Sequence, residues 1–338
     1  RLVTQGLLSL GLPPDDELVR GQVAKAGVRD FLVIVNPAAR QRVEEAVSTV
    51  DGVSVQVALQ EQPRGMGHAM LSVREHLGAG PMLIVSPSDV VEPAAYTRIL
   101  TAAQKGDAIS YILGYRVKDY FPGGYLVVNP GGWVKGIEEK PGKGREPSQV
   151  VNIVVHLHTR PVELLEAIAD EGRDGDDAYE GALGRLMEAG DRMRVVPYEG
   201  FWGPIKYPWH ILTVMEHLLQ GIHRDIAPSA QIASSAVVEG QVVVGEGARI
   251  FENAVVRGPA YIGPRAVIGN NVLIRDSSHI GAGSVVGFGT EIKHSYIGQD
   301  SYFHFGYIGD SIVGSRCNLG AGTITANLPF HRRHVRVR

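Results

Sequence analysis

The chain has 338 residues, 44% of them hydrophobic and 20% charged, a composition that excludes an intrinsically disordered protein. Its formal net charge of −3 argues against a protein that coats nucleic acid or an anionic membrane surface. The longest apolar runs fall far short of the roughly 20 residues that a membrane-spanning helix needs. The single cysteine, Cys317, excludes an internal disulfide and a cysteine-based zinc site, which favours a cytoplasmic protein.

Candidate strands and helices alternate over residues 1–220, which predicts an α/β domain with a mostly parallel sheet. The candidate strands span residues 31–36, 53–60, 82–86, 109–117, 125–129, 150–158 and 193–198. The candidate helices span residues 67–76, 94–104, 162–171, 178–189 and 208–219.

The pattern changes after residue 220, so residues 221–338 form a second predicted domain. Every sixth residue from Ile226 to Ile292 is isoleucine or valine, which makes twelve consecutive repeats. Neither the period of a helix nor that of a strand produces this spacing. A fixed six-residue period predicts a hexapeptide β-solenoid whose β-branched residues point inward and whose glycines allow tight turns.

The six-residue register breaks after Ile292, because the next apolar residue of the series is Ile297, five positions later. The six-residue step returns with Val313 and Leu319. Irregularities in a solenoid tend to lie on its binding face. Within this domain we therefore expect catalytic or binding residues first of all in residues 293–312.

Two strings lie at and just after this break, His304-Phe-Gly-Tyr-Ile-Gly-Asp-Ser-Ile-Val-Gly and Asn318-Leu-Gly-Ala-Gly-Thr-Ile-Thr-Ala-Asn327. With them, residues 226–330 resemble the acetyltransferase domain of the bifunctional N-acetylglucosamine-1-phosphate uridylyltransferases/glucosamine-1-phosphate acetyltransferases. The ending of the second string is similar to the archaeal type. The resemblance implies a left-handed parallel β-helix that trimerises, with active sites between subunits.

By this resemblance, His304 is the catalytic base that takes a proton from the 2-amino group of the sugar as that group attacks acetyl-CoA. Histidine suits the role because its ordinary pKa lies near neutrality. The resemblance also implies a site for the sugar phosphate and acetyl-CoA, made of Arg275, Lys293, Tyr307, Asn318 and Asn327. Its arginine and lysine are 18 residues apart and suit a phosphate dianion.

Residues 20–220 resemble the Rossmann-like sugar-1-phosphate nucleotidyltransferases. The segment Gln60-Glu-Gln-Pro-Arg-Gly-Met-Gly-His-Ala matches a family motif in which Gln60 and Gly65 would contact the nucleotide base. The aspartate of Pro-Ser-Asp89 stands where the family has a Mg²⁺ ligand. The motif Glu138-Glu-Lys-Pro belongs to the sugar-phosphate site, whose implied residues are Gly124, Glu139, Lys140 and Asn152.

Two family features differ here. The Gly-rich loop that cradles the triphosphate does not occur in residues 1–18, and because the sequence opens at Arg1, we expect the loop to precede it. The string Trp202-Gly-Pro-Ile-Lys-Tyr-Pro stands for the family pattern Trp-x-Asp-x-Gly-x-Pro. Pro204 thus replaces the second metal-binding aspartate, and Lys206 adds a cation that we interpret as a further sugar-phosphate contact.

These residues predict a bifunctional cytoplasmic enzyme of nucleotide-sugar synthesis that forms a homotrimer, or a multiple of one, and binds neither nucleic acid nor membrane. The first domain would use Mg²⁺ and an NTP, which the resemblance makes UTP, to nucleotidylate a sugar-1-phosphate. The second would acetylate glucosamine-1-phosphate with acetyl-CoA. Two alternatives stay open: a nucleotidyltransferase whose β-helix only assembles the protein, and a non-catalytic regulatory subunit. Pro204 favours the regulatory subunit and the string at His304 opposes it.

Overall fold

The structure, a computed structural model, describes residues 2–5, 26–47, 52–62, 64–172 and 177–325. These residues form two compact units, of which the first ends at Pro204 and the second begins at Ile205. Among the helices of the described ranges, none is long and apolar enough to cross a membrane.

The first unit is built on a mixed sheet that contains all seven predicted strands, with ends that differ from the predictions by at most one residue. Four further strands, β1, β5, β8 and β11, were not predicted. In chain order the strands are β1 (Leu2–Gln5), β2 (Asp30–Val35), β3 (Ser54–Leu59), β4 (Met82–Val85), β5 (Asp89–Val91), β6 (Ser110–Arg116), β7 (Gly124–Val128), β8 (Val134–Glu139), β9 (Val150–His158), β10 (Met193–Tyr198) and β11 (Trp202–Pro204).

The strand order of the main sheet is β10-β6-β9-β4-β1-β2-β3. All neighbours on this path are parallel except β9, which runs antiparallel to both β6 and β4. The prediction of a mostly parallel sheet is therefore confirmed. The carboxyl ends of β3 and β4 meet at one edge of the sheet, and because β9 runs the other way, its first residues lie at that same edge. We call it the carboxyl edge.

Among the described residues of the first unit, five helices flank the sheet: α1 (Arg40–Val47), α2 (Gly65–Ser72), α3 (Pro93–Ala103), α4 (Pro161–Glu171) and α5 (Ala178–Glu188). Alternate strand residues face opposite sides of the sheet, so Leu32 and Phe31 of β2 belong to different cores. One core contains residues of α2, α4 and α5, and the other contains residues of α3. The helices thus lie on both faces of the sheet, and the α/β domain that the alternating sequence pattern predicts is confirmed.

The second unit is a parallel β-solenoid with three faces, each of which has six strands within the described residues up to 325. The first face comprises β12 (Asp225–Ile226), β15 (Val242–Val244), β18 (Ala260–Ile262), β21 (Ser278–Ile280), β24 (Tyr296–Ile297) and β27 (Ile312–Val313). The second face comprises β13 (Gln231–Ile232), β16 (Arg249–Ile250), β19 (Val267–Ile268), β22 (Val285–Val286), β25 (Tyr302–Phe303) and β28 (Asn318–Leu319). The third face comprises β14 (Val237–Glu239), β17 (Val255–Arg257), β20 (Leu273–Arg275), β23 (Glu291–Lys293), β26 (Gly306–Gly309) and β29 (Thr323–Ile324).

The predicted column of isoleucine and valine forms the interior of this solenoid, where Ile250, Ile268 and Ile292 are at most 1% exposed. The hexapeptide prediction is therefore confirmed. The left-handed sense of the coil, which the resemblance implies, stays a prediction.

The predicted break in register is a shortening of the coil. Successive residues on the first face are 18 apart up to Ile280, but Ile280 pairs with Ile297 and Ile297 with Val313. Serines line the shortened corners: Ser284 Oγ accepts from Ser301 N, and Ser301 Oγ accepts from Cys317 N. These hydroxyls satisfy buried amides where the coil deviates from its repeat, a role that an alanine cannot perform.

The glycines that follow the inward-pointing residues are required for a reason other than the tight turns that were predicted. Gly245, Gly263 and Gly281 do not have positive φ angles. A Cβ built on any of the three would lie 2.6 Å from a backbone atom of the next coil. Close approach of successive coils, rather than a left-handed turn, therefore requires glycine at these positions.

The helix α6 (His210–Gln220) belongs to the second unit and packs on the first face of the solenoid. Its buried residues Ile211 and Met215 lie against Tyr296. On that face, the rings of Tyr261, His279 and Tyr296 form a stack with centroid separations of 4.9 and 4.7 Å. Residues 205–220 thus pack within the same unit as the solenoid, although their sequence pattern continues that of the first predicted domain.

Candidate active sites

The carboxyl edge of the sheet gathers predicted site residues that lie far apart in the sequence. Gln60 directly follows β3, Asp89 opens β5 shortly after β4, and Asn152 is near the start of β9. The hairpin of β7 and β8 reaches the same edge, because Tyr125 pairs with Val151. In open α/β sheets, ligands bind beyond the carboxyl ends of the strands.

The predicted nucleotide-binding segment is held in place by the side chain of its first residue, Gln60. Gln60 is 5% exposed, and its Nε2 donates to the carbonyl oxygen of Gly65 at 3.1 Å and lies 3.0 Å from His68 Nδ1. Gly65 opens α2 with φ of +86°, a conformation that glycine adopts without strain. The hydrogen bond from Gln60 Nε2 to Gly65 closes the loop between β3 and α2 and leaves Gly65 at the first turn of the helix.

Three residues of the predicted sugar site form one cluster. Gly124 and Glu139 are register partners at the open end of the β7–β8 hairpin. A Cβ on Gly124 would lie 2.9 Å from Glu139 Oε2 and 3.6 Å from Asn152 Cβ. Lys140 Nζ is 3.4 Å from Glu139 Oε1, so a cation and a carboxylate stand together at this end of the hairpin. A carboxylate is suited to accept hydrogen bonds from sugar hydroxyls.

The candidate metal ligand is an almost buried carboxylate. Asp89 is 9% exposed, and its Oδ1 accepts a hydrogen bond from Trp202 Nε1 at 2.8 Å. In the antiparallel pair of β5 and β11, Pro204 is the register partner of Asp89. The position at which the family carries its second aspartate is therefore directly across from the first.

The donor set at Asp89 suits a substrate-bound Mg²⁺ rather than a metal held by the protein alone. The described residues contain no cluster of three or more histidine, cysteine or acidic side chains that could hold a metal. Mg²⁺ is usually bound through one or two carboxylates together with substrate phosphates, which one aspartate satisfies. Asp89 would hold such an ion, whose chemistry is to neutralise charge on the phosphates.

A chain of buried polar groups lies behind Asn152, and the sequence interpretation missed it. Asn152 Oδ1 is 2.7 Å from His156 Nε2, and His156 Nδ1 is 2.7 Å from the hydroxyl of Tyr179. That hydroxyl is 2.7 Å from His158 Nε2, and His158 Nδ1 is 2.7 Å from Ser110 Oγ. The available signal was polar residues at 152, 156 and 158 in a strand of valine, isoleucine and leucine, all on one side by the two-residue period.

Lys206 is exposed and belongs to the second unit. Its backbone N–H donates to His210 Nδ1 at 3.1 Å, which ties the segment before α6 to the first turn of that helix. Its assignment to the sugar-phosphate site stays a prediction.

The predicted phosphate-binding pair of the solenoid forms a column. Arg275 and Lys293 are register partners on adjacent coils of the third face. Each already has a carboxylate partner: Arg275 forms ion pairs with Asp276 and, at 2.7 Å, with Glu291, and Lys293 Nζ is 3.1 Å from Asp310 Oδ2. A phosphate that binds here would take the place of one of these carboxylates as the partner of the arginine or the lysine.

His304 lies at the opposite end of the third face from this column. It is exposed, and it precedes β26, whereas Lys293 is level with the last residue of β26, Gly309. Within one chain, the whole of β26 and the bend before it therefore separate His304 from the level of Lys293. Tyr307 lies on β26 between them, Asn318 is exposed on the second face one coil further, and Asn327 lies outside the described residues.

The depression at His304 is small. It is lined by His304, Phe305 and Thr323 among others and is too shallow to enclose a sphere the size of a water molecule. Ligand pockets usually enclose about 300–1,000 Å³. One chain by itself therefore offers the candidate base on a surface rather than in a pocket.

Comparison with known proteins supports the family resemblance of both halves of the chain. The nucleotidyl transferase family model matches residues 17–219. A bifunctional protein GlmU of Methanococcus maripaludis strain S2 is 33% identical over 294 residues, which are 84% of this chain and 67% of the relative. Its counterpart in strain C7 is 37% identical over 292 residues, with coverage of 84% and 66%. A bifunctional sugar-1-phosphate nucleotidylyltransferase/acetyltransferase of Sulfurisphaera tokodaii is 29% identical over 318 residues, with coverage of 93% and 75%.

Solved structures agree on the fold of the first unit. A UDP-glucose pyrophosphorylase complexed with UDP-glucose superposes with a TM-score of 0.52 at 16% identity, over 60% of this chain and 92% of that one. The enzyme from Acinetobacter baumannii gives 0.53 at 17% identity, over 65% and 94%. This chain spans about two thirds of the length of its methanococcal relatives. With its nucleotidyl transferase unit followed by a parallel β-solenoid, the chain belongs to the nucleotidyl transferase family, in the group of bifunctional sugar-1-phosphate nucleotidyltransferases/acetyltransferases.

Proposed function

We propose that this protein transfers a nucleotidyl group from an NTP to a sugar-1-phosphate and acetylates glucosamine-1-phosphate with acetyl-CoA. The observation that carries the first activity is the convergence of Gln60, Asp89, Glu139 and Asn152 at the carboxyl edge of a nucleotidyl transferase sheet. The names of the relatives support the second activity, as does the string at His304 on a solenoid. UTP and N-acetylglucosamine-1-phosphate are the substrates that we propose for the first step.

In nucleotidyl transfer, an oxygen of the sugar-1-phosphate attacks the α-phosphorus, and the bond to the bridging oxygen of the leaving pyrophosphate breaks. The chain's contribution is to hold the two reactants in line and to offset the charge that develops. Gln60 and Gly65 would hold the base, Gly124, Glu139 and Asn152 the sugar, and Lys140 a phosphate. Asp89 would hold Mg²⁺ on the triphosphate.

In acetyl transfer, the 2-amino nitrogen of glucosamine-1-phosphate attacks the thioester carbon, the imidazole of His304 takes the proton, and CoA leaves as its thiol. The amine must be unprotonated to attack, so a neutral base near it accelerates the step. Arg275 and Lys293 would bind the phosphate, and Tyr307, Asn318 and Asn327 the rest of the substrates. Both reactions use the cytoplasmic pools of NTP and acetyl-CoA.

The acetyl-transfer site that we propose is completed by a second copy of the chain in a trimer of left-handed β-helices. Three large apolar side chains beside the candidate base are unusually exposed, namely Phe288 at 60%, Tyr302 at 47% and Phe305 at 52%. His304 and the column of Arg275 and Lys293 lie at opposite ends of one face, so a neighbouring copy is needed to bring such groups together. A cyclic trimer covers these side chains and turns the shallow depression into a pocket.

We expect sedimentation equilibrium at micromolar concentration to give three times the chain mass. Phe305→Glu should shift the protein toward monomer, because a charge would be buried in the contact. Val162→Glu is the matched control, since Val162 is 43% exposed on α4 of the first unit. A wild type that sediments only as monomer would contradict the trimer.

The two activities are tested by two assays on the wild-type protein. Pyrophosphate release is measured with each NTP paired with sugar-1-phosphates, and thiol release with acetyl-CoA and amino-sugar phosphates. We expect both products, with UTP and N-acetylglucosamine-1-phosphate giving the fastest pyrophosphate release. Pyrophosphate without thiol would support a nucleotidyltransferase with an assembly solenoid. A full-length protein that releases neither product would support a regulatory subunit.

A further inference from the structure

The hydrogen-bonded chain behind Asn152 is shielded from solvent almost completely. Ser110, His156, His158 and Tyr179 are each at most 1% exposed. The three residues from β9 and β6 are joined through Tyr179 on α5, so this series of hydrogen bonds connects the two strands to a helix that covers the sheet. A buried polar network of this kind is stable only if each member has its partner.

Burial keeps the members of this chain neutral. It lowers the pKa of His156 to about 3 and lowers the pKa of His158 well below its ordinary value. It also raises the pKa of the Tyr179 hydroxyl well above its ordinary value. Near neutral pH both imidazoles therefore carry one proton each, and the phenol keeps its own.

With the Asn152 oxygen facing inward, neutral groups in this geometry form a continuous series of donors and acceptors. That oxygen only accepts, so His156 carries its proton on Nε2 and uses Nδ1 as an acceptor. The Tyr179 hydroxyl donates to this Nδ1 and accepts from Nε2–H of His158. His158 Nδ1 then accepts from the hydroxyl of Ser110.

The orientation of the Asn152 amide determines which hydrogen-bonding groups this residue offers to a ligand. Its amide oxygen is occupied by His156, so its NH₂ group, with two N–H donors, remains for the half-buried side that adjoins Gly124 and Glu139. Glu139, as a carboxylate, accepts hydrogen bonds. The cluster therefore combines one donor group, the Asn152 NH₂, and one acceptor group, the Glu139 carboxylate. If Asn152 rotated by 180°, it would offer a second acceptor instead.

We propose that Ser110, His158, Tyr179 and His156 are positioning residues that lock the amide of Asn152, so that the sugar site selects a sugar-1-phosphate with an oxygen acceptor opposite Asn152. A hydroxyl or an acyl carbonyl meets this requirement, and an ammonium group does not. The proposal rests on the proposed nucleotidyl transfer, because it assigns the selectivity of that same site.

Tyr179→Phe removes the central hydroxyl and leaves the ring in place. Asn152 then loses its fixed orientation, and we expect the KM for the sugar-1-phosphate to rise about 2- to 10-fold, the worth of one ordinary hydrogen bond. The KM for the NTP should stay unchanged. Tyr111→Phe is the matched control, because Tyr111 is equally buried in β6 but its hydroxyl bonds Asp107 instead. Equal effects of the two variants on the sugar KM would overturn the proposal.

A pair of variants at His156 separates positioning from packing. His156→Gln keeps an N–H donor toward the Asn152 oxygen and should retain a sugar KM near that of the wild type, whereas His156→Ala should raise it. Asn152→Asp replaces the donor with a second acceptor and should weaken sugar binding more than His156→Ala does. A glutamine variant as impaired as the alanine variant would contradict the positioning role.

The proton arrangement is measured without any activity. Long-range ¹H–¹⁵N correlation spectra of the ¹⁵N-labelled protein should show two histidines that carry the proton on Nε2 and do not titrate between pH 5 and 9. One of the two signals should disappear in His156→Gln. A proton on Nδ1 of His156 would overturn the inference even if the enzyme is active. If the wild type releases no pyrophosphate, the proposed function fails, while the spectra still decide the proton arrangement.

Discussion

Asp89→Asn is expected to lower pyrophosphate release by about 10³-fold, while thiol release from acetyl-CoA stays unchanged. A charge-neutralising metal site contributes several kcal/mol to a phosphoryl-type transition state, and each 1.4 kcal/mol is about tenfold in rate. The substitution removes the charge but keeps an oxygen that can accept the hydrogen bond from Trp202 Nε1. The effect is therefore electrostatic rather than a loss of fold. The two activities separate because Asp89 lies in the first unit and His304 in the second.

Asp191→Asn is the control for this experiment. Asp191 pairs with Arg160 at 2.7 Å and precedes β10, so it lies at the edge of the sheet opposite the carboxyl edge. We expect it to release pyrophosphate at the wild-type rate. Because Pro204 rather than a carboxylate faces Asp89, we also expect half-maximal activity at a higher Mg²⁺ concentration than a two-aspartate relative needs. Full pyrophosphate release by Asp89→Asn would leave Asp89 only a structural partner of Trp202.

His304→Ala is expected to lower thiol release by about 10²–10⁴-fold, the usual worth of general-base catalysis. His304 is exposed, and its backbone N–H donates to the carbonyl oxygen of Leu319, a bond that alanine keeps. The coil and its assembly should therefore be unaffected, and sedimentation of the variant should match the wild type. Pyrophosphate release should also match, since it belongs to the first unit.

His223→Ala is the matched control, because His223 is another exposed histidine of the second unit and precedes the first coil. It should release thiol at the wild-type rate. If His304→Ala also keeps that rate, another group takes the proton and His304 is not the base. If the wild type releases no thiol with any amino-sugar phosphate, the solenoid serves assembly and His304 has no catalytic role in this protein.

The two halves of the chain differ in how far their sequence could predict them. In the solenoid, the inward residue recurs at a fixed step, and each coil contacts mainly its neighbours, so local periodicity is enough to specify the architecture. The reason for its glycines was not predictable in the same way. Gly263 and Gly281 look like turn residues, yet a Cβ on either would lie 2.6 Å from backbone of the following coil.

In the first unit, the seven main strands were predictable because buried strands read as short apolar runs. The strand β1 was not, since Leu2–Gln5 carries a weak pattern and acquires its place only by pairing with β2 and β4. The antiparallel direction of β9 was also beyond the sequence pattern. That direction brings Asn152 to the same edge as Asp89, although an all-parallel sheet would place it at the opposite one.

From the sequence by itself follow the six-residue repeat, the alternation of strands and helices, and the candidate residues that motifs mark, because each is a property of neighbouring positions. The tertiary structure alone decided which of these residues meet. It placed Gly124, Glu139 and Asn152 in one cluster, kept His304 apart from Lys293, and set Tyr179 of a distant helix between two histidines of one strand. The physical reason is that strand direction, sheet order and helix packing join segments far apart in sequence, and hydrogen bonds between buried groups form only after those segments have met.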